Sequence, residues 1–415
     1  MVHEDLPLPL EHTPDTWRDH IGFPLWPQAA LLDPAAQALL EERLLLAVTC
    51  LERVTVRCRD DKDLLSFLGL PPLLQQWALQ EPPLPRGGLD YCRLDLAGRR
   101  TGDVRILEFN GGCPLGLISA GLLVRHWRRH HPGLAEALRG RDTVPFPLEG
   151  ETWFVDALTR LAAEREPTAT EPPGTLTIVC DPGAERFIET AELLAQAHRR
   201  GIDAKLTAGE HLTTASSGPA SLGFLLHDLP SFIDRLPGRQ GLCEAMADGR
   251  MTVPNGLLGR AVGDNKLGMA VLSDPRFAGL FSEHERRILA SVVPWSRKLG
   301  DGVTTREVLD ARESLVLKPP FGARSEGILV GRFCTEEQWR EAASSPACAG
   351  WLVQEYVAPE ELADPGGSTP LHRIMAAGFL GGRPVGWVSR VSTTIVSNSG
   401  PGWGMQVVLA AGGRR

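Results

Sequence analysis

The stretch Leu317-Lys318-Pro319-Pro320-Phe321-Gly322-Ala323-Arg324-Ser325-Glu326-Gly327, taken with Glu108-Phe109-Asn110 far upstream, decides how this chain is read. Side chains alternate along a strand, so Val316 and Lys318 fall on one face, and Pro319-Pro320 removes two backbone donors and stops the strand. Phe321 to Gly327 then forms a glycine loop able to lie over a phosphate chain, with the Lys318 ammonium aimed at the same anion. A lone Lys-Pro is more often a solvated lysine ahead of a turn, so the reading depends on what accompanies it. The upstream triplet places a carboxylate and an amide oxygen on one strand face, a donor set suited to magnesium.

Working outward, Tyr91 to Leu96 and Val104 to Phe109 alternate around Ala97 to Asp103, which predicts a hairpin. Arg93 and Asp95 share one of its faces. Asp95, Glu108 and Asn110 can then offer three oxygens from adjacent strands, and an asparagine inside a strand runs against propensity, as residues with a task often do. The segment Gly111 to Gly116 leads into an apolar helical run, Leu117 to Val124, which predicts free amides at a helix start beside these oxygens. Downstream, Asn265-Lys266 at the start of a helix brings a second lysine. Trp351 to Val357 is an apolar strand that turns polar, as a hinge facing an adenine edge would. Arg373 and Arg390, at the ends of two late strands, are phosphate contacts or surface ion pairs.

A chain of 415 residues exceeds one compact core and predicts two or three units. Its net charge of -8 lacks the basic excess on which nucleic-acid binding draws. Eight cysteines without a C-x-x-C pair predict reduced thiols and no zinc site. The first residues carry neither a basic nor an apolar leader segment, and no long apolar window follows, so the expectation is a cytoplasmic protein with no membrane partner.

Asp33-Pro34 starts a helix that runs to about Arg53 and predicts a helical N-terminal region over 1–85. The hairpin and its following helix occupy 86–165. The polar, proline-rich run Glu164 to Gly174 marks a boundary, and 166–253 reads as a βαβ domain with strands at Leu176 to Cys180 and Ile202 to Leu206 around a helix from Ala184 to Arg200. Residues 254–415 hold strands at Leu315 to Lys318, Ile328 to Val330, Trp351 to Val357, Arg373 to Leu380 and Val385 to Val391. Gly381-Gly382 closes the last pair as a hairpin, and an insertion lies between Glu361 and Pro370.

The segments R-x-D…E-F-N-G-G-x-P, N-K, L-K-P-x-x-G-x-x-S-x-G, Q-E-Y-V and S-R, spread over residues 90 to 395, resemble circularly permuted ATP-grasp ligases. The E-x-N segment precedes the phosphate lysines, as in glutathionylspermidine synthetase and the eukaryotic type of glutathione synthetase. The resemblance implies an α/β ATP-grasp fold, permuted, with a Rossmann-like βαβ domain ahead of the nucleotide-binding part. It implies Asp95, Glu108 and Asn110 as magnesium ligands, Arg93 facing the carboxylate to be activated, and Arg390 at the reacting phosphate. Lys266, Lys318, Gly322, Ser325, Gly327, Gln354, Glu355, Val357 and Arg373 become nucleotide contacts. The loop departs from the family's usual K-P-x-x-x-R-E-G by a serine inserted between Arg324 and Glu326.

The implied activity is an ADP-forming ligase, using ATP and two magnesium ions to join a small carboxylate, such as an amino acid or peptide, to an amine through an acyl phosphate. A place in small-peptide or specialised-metabolite synthesis and a possible homodimer follow from the same likeness. A phosphotransferase on the same fold and a non-catalytic nucleotide-binding regulator are the alternatives.

Overall fold

A computed structural model describes residues 2–7, 24–84, 88–98, 102–112, 116–130, 133–165, 174–180, 188–208, 221–225, 239–247, 251–322, 325–362, 370–395 and 403–413. The expected hairpin is present as strands β1 (Tyr91–Ala97) and β2 (Arg105–Asn110), antiparallel with Arg93 opposite Asn110 and Asp95 opposite Glu108. The register slips after Asp95, where Leu96 faces Ile106 and leaves Leu107 as the extra residue of a β-bulge. Residues 99–101 of the hairpin's turn lie outside the described residues.

The late half builds a second sheet from β3 (Ser296–Leu299), β4 (Leu315–Lys318), β5 (Leu329–Val330) and β6 (Leu352–Glu355), in the order β3-β6-β4-β5, with Gly302–Val303 at the outer edge of β3. Period two splits its faces. Leu315, Leu317 and Val353 enter a small core with Val308 and Trp339, whereas Val316, Lys318 and Gln354 turn to the opposite side.

The chain then returns to the hairpin's sheet. Strands β7 (Leu371–Leu380) and β8 (Arg383–Ser392) pair with each other, β7 also pairs with β1, and β8 with β9 (Trp403–Gln406). Gly381 and Gly382, at φ 58° and 69°, supply the two left-handed positions of the tight turn between β7 and β8. The insertion expected between Glu361 and Pro370 falls largely on residues 363–369, outside the described residues.

A parallel sheet carries the βαβ unit, with strands Thr175–Cys180, Asp203–Ala208, Ser221–Leu225 and Met251–Thr252. Helix α1 (Leu117–His130) follows the hairpin and contacts helix α2 (Ile188–Arg199) of that unit. The start expected for α2 at Ala184 lies outside the described residues.

One expectation is corrected at the amino end. The region over 1–85, expected to be helical, opens with strands Val2–Pro7 and Gln28–Leu32 before the helix Pro34–Arg57, whose first turn Asp33 caps through Ala36 N at 2.8 Å. Gln28–Leu32 pairs antiparallel with Val2–Pro7 and in parallel with Val408–Ala411, so one of its two partner strands comes from the far end of the sequence. Among the described residues no helix is long and apolar enough to cross a membrane, and no disulfide forms.

Candidate active site

A cleft opens between the hairpin's sheet and the late sheet. Lys318 from β4, Gln354 and Glu355 from β6, Asp95 from β1, Glu108 from β2 and Arg390 from β8 all line it. Its apolar wall comes from Leu107, Val316, Ile328, Val330, Ile374 and Val357. One side thus suits a planar apolar group and the other an anion with its counter-charges.

Lys318 lies at the join. It is buried, and its Nζ donates to Leu107 O at 2.8 Å and to Gln354 Oε1 at 2.6 Å. The acceptor on β2 is the bulge residue, whose carbonyl the irregular register turns toward β4. Burial pushes the Lys318 ammonium down to about 8, against the pull of the Glu108 and Asp95 carboxylates and with the repulsion of Lys266. The second lysine does not line the cleft itself. Lys266 Nζ donates to Gly322 O at 2.8 Å and stands 3.5 Å from Glu108 Oε2, while its backbone N–H donates to Pro320 O at 2.8 Å.

Asp95 is the centre of the opposite cluster. Arg93 Nε donates to its Oδ1 at 2.8 Å, and Arg390 donates to its Oδ2. Burial works to raise the Asp95 carboxyl, and the guanidinium groups of Arg93 and Arg390 reverse this and hold it below its ordinary range. Arg93 stays firmly protonated: burial opposes its charge, and Asp95 and Glu108 outweigh that effect.

The magnesium set divides. Asp95 has both oxygens committed to guanidinium donors, which makes it a poor ligand as placed. Glu108 and Asn110 are only partly buried on β2, and Asn110 spends its Nδ2 on Arg93 O at 3.3 Å, leaving the amide oxygen as the group able to meet a cation. Glu108 with Asn110 therefore fits a hard divalent ion better than the expected triplet. Among the described residues no cluster of three histidine, cysteine or acidic side chains forms a metal cage.

Other sequence expectations fare differently. Arg373 does not line the cleft: it is buried between Asp5, at 2.6 Å from its NH1, and Glu360, at 2.8 Å from its NH2, so its charge is spent on holding strands together. Gln354 presents its side chain to the cleft, fixed between Lys318 and Ser296. Glu355 N–H is taken by Trp295 O and Tyr356 N–H by Ser314 O, while Val357 lines the cleft beyond them. In the glycine loop, Gly322 and Gly327 take φ of 144° and 74°. The inserted Ser325 takes φ 60°, a strained value for a residue with a Cβ, and it faces the cleft. Arg324 lies outside the described residues.

The amides at the start of α1 are not free. Glu189 of α2 reaches across and its Oε1 accepts from Gly116 N at 2.6 Å, Ser119 N at 3.0 Å and Ser119 Oγ at 2.9 Å. Burial raises the Glu189 carboxyl, with those three donors working against the rise. The sequence offered no signal for this residue, an acid in an amphipathic helix.

No protein-family model matches the chain, and no curated protein matches it in sequence. Solved structures do resemble it. A protein from Methylobacillus flagellatus KT assigned as a gamma-glutamylcysteine synthetase aligns with 87% of this chain and 86% of its own, at 12% identity and a TM-score of 0.44. A glutathione synthetase-like effector from Globodera pallida, in its apo form, aligns with 94% of this chain and 90% of its own, at 11% identity and a TM-score of 0.58. The mixed helix-and-sheet fold of this chain is thus similar to that of a glutathione synthetase-like protein.

Proposed function

We propose that the chain is an ATP-dependent, ADP-forming ligase that joins a small carboxylate to an amine. The observation that carries this reading is the meeting of Lys318 from β4 with the carboxylate-bearing hairpin β1–β2 across one cleft. The fold likeness supports it, as do the sequence segments that resemble permuted ATP-grasp ligases.

The chemical problem is repulsion, since a carboxylate must approach a triphosphate. Lys318 and Arg390 line the cleft, while Lys266 stands beside Glu108 and Arg93 beside Asp95, so the four positive charges flank the carboxylates of its wall. Asp95 holds the two arginines at fixed spacing, so their charge is oriented before any ligand arrives. Glu108 and Asn110 would hold magnesium, which supplies charge neutralisation at the phosphates. In the overall reaction the terminal phosphoryl passes to the carboxylate with release of ADP, and the amine then displaces phosphate to leave an amide and a proton.

An ADP-release screen over amino acids and amines, with mass spectrometry of condensed products, tests the activity. ADP formation that needs no amine would favour a phosphotransferase. Lys318→Met and Glu108→Gln should each lower turnover by about a hundredfold or more with the fold retained. Wild-type rates in both would remove the site from consideration.

A further inference from the structure

We propose that Asp264 is a positioning residue of the nucleotide site, fastening the bend that carries Lys266 to the loop after β2. The inference rests on the reading of Lys266 as a nucleotide lysine. Two buried helices, α3 (Gly256–Gly263) and α4 (Leu267–Ser273), are separated by the three residues 264–266. Each of the three grips a different part of the molecule. Asp264 Oδ1 accepts from Gly112 N at 2.7 Å, in the loop that leaves β2. Asn265 Nδ2 donates to Leu68 O at 2.8 Å, and its Oδ1 accepts from Leu267 N at 2.9 Å, starting α4. Lys266 bonds Pro320 O through its backbone and Gly322 O through its Nζ, and so holds the glycine loop.

The fit around Asp264 leaves no slack. A Cβ on Gly112 would lie 1.9 Å from Asp264 Oδ2, and a Cβ on Gly111 would lie 2.9 Å from the Gly263 Cα. Arg260 of α3 adds a bond to Gly112 O, so both backbone polar groups of Gly112 are engaged from the same helix end. The Gly111-Gly112 pair, read in the sequence only as part of a loop, is what allows the two backbones to approach. Moving Asp264 would therefore displace Lys266, two residues on, from Gly322 and from Glu108 on the cleft wall.

Calorimetric titration with magnesium-ATP tests this on the whole chain, using Lys266→Ala, Asp264→Ala, Asp264→Asn, Gly112→Ala and the double variant Asp264→Ala with Gly112→Ala. Asp264→Ala and Gly112→Ala should each weaken binding about tenfold. The double variant should be no weaker than Asp264→Ala alone, because the shortened side chain leaves room for the added methyl. Asp264→Asn, which keeps the acceptor oxygen and is the mildest for folding, should retain most of the affinity. If Lys266→Ala weakens binding while Asp264→Ala and Gly112→Ala match wild type, or if their losses simply add, the positioning role is wrong and the nucleotide reading survives. Wild-type affinity in Lys266→Ala would instead overturn the nucleotide reading itself, and this inference with it.

Discussion

At the scale of single residues, the buried Lys318 links electrostatics to the proposed nucleotide binding. Its ammonium is pushed from 10.5 to about 8 by burial, so near pH 8 a sizeable fraction of the unliganded protein carries it neutral. A phosphate in the cleft favours the charged form. Nucleotide binding at pH 8 should therefore take up part of a proton, visible as a dependence of the calorimetric enthalpy on buffer ionisation, and Lys318→Met should abolish it. Uptake that persists in that variant would assign the proton elsewhere. Stability should move the opposite way: between pH 8 and 10.5 the unfolded chain binds more protons at this lysine, so its burial penalty fades as pH rises. Much of this cluster was legible because alternation fixes which neighbours share a face, as with Val316 and Lys318 or Arg93 and Asp95. The role of Arg373 was not, since its partner Asp5 lies at the far end of the sequence and nothing local distinguishes a phosphate contact from a buried ion pair.

At the scale of elements, α1 depends on a cap supplied by another unit. Glu189→Gln keeps an acceptor for Gly116 and Ser119, whereas Glu189→Ala leaves those donors without one and should cost about 1–3 kcal/mol in urea unfolding. The sign with pH also follows. A carboxyl raised in the folded state binds its proton more tightly there, so its contribution declines as pH climbs through 4.5 toward the raised value, and Glu189→Gln should remove that slope. Equal losses in both variants would show that the carboxylate oxygen is not the cap. The hairpins and the βαβ unit could be read ahead of time because turn glycines and alternating patterns are local. The Leu107 bulge and the strand Gln28–Leu32 could not, because each is defined by a partner strand and not by its own residues.

At the scale of the molecule, two sheets meet over the cleft without sharing a strand, and Lys318 to Leu107 is a direct bond between them. A ligand that grips both sheets should stabilise the whole chain. With magnesium-ATP at a hundred times its dissociation constant, the gain in unfolding free energy should be about 2.7 kcal/mol. Lys318→Met should forfeit it, and a full gain in that variant would place the nucleotide outside this cleft. The pairing of β1 with β7 has a further consequence, for synthesis. Leu96 waits for Met375, so at ribosomal rates of about 5–20 residues per second the hairpin's open edge stays unpaired for roughly 15 to 60 seconds. Throughout that interval the nascent chain presents a bare row of amides and carbonyls to every other polypeptide nearby, and chaperone demand during translation should be set by that edge.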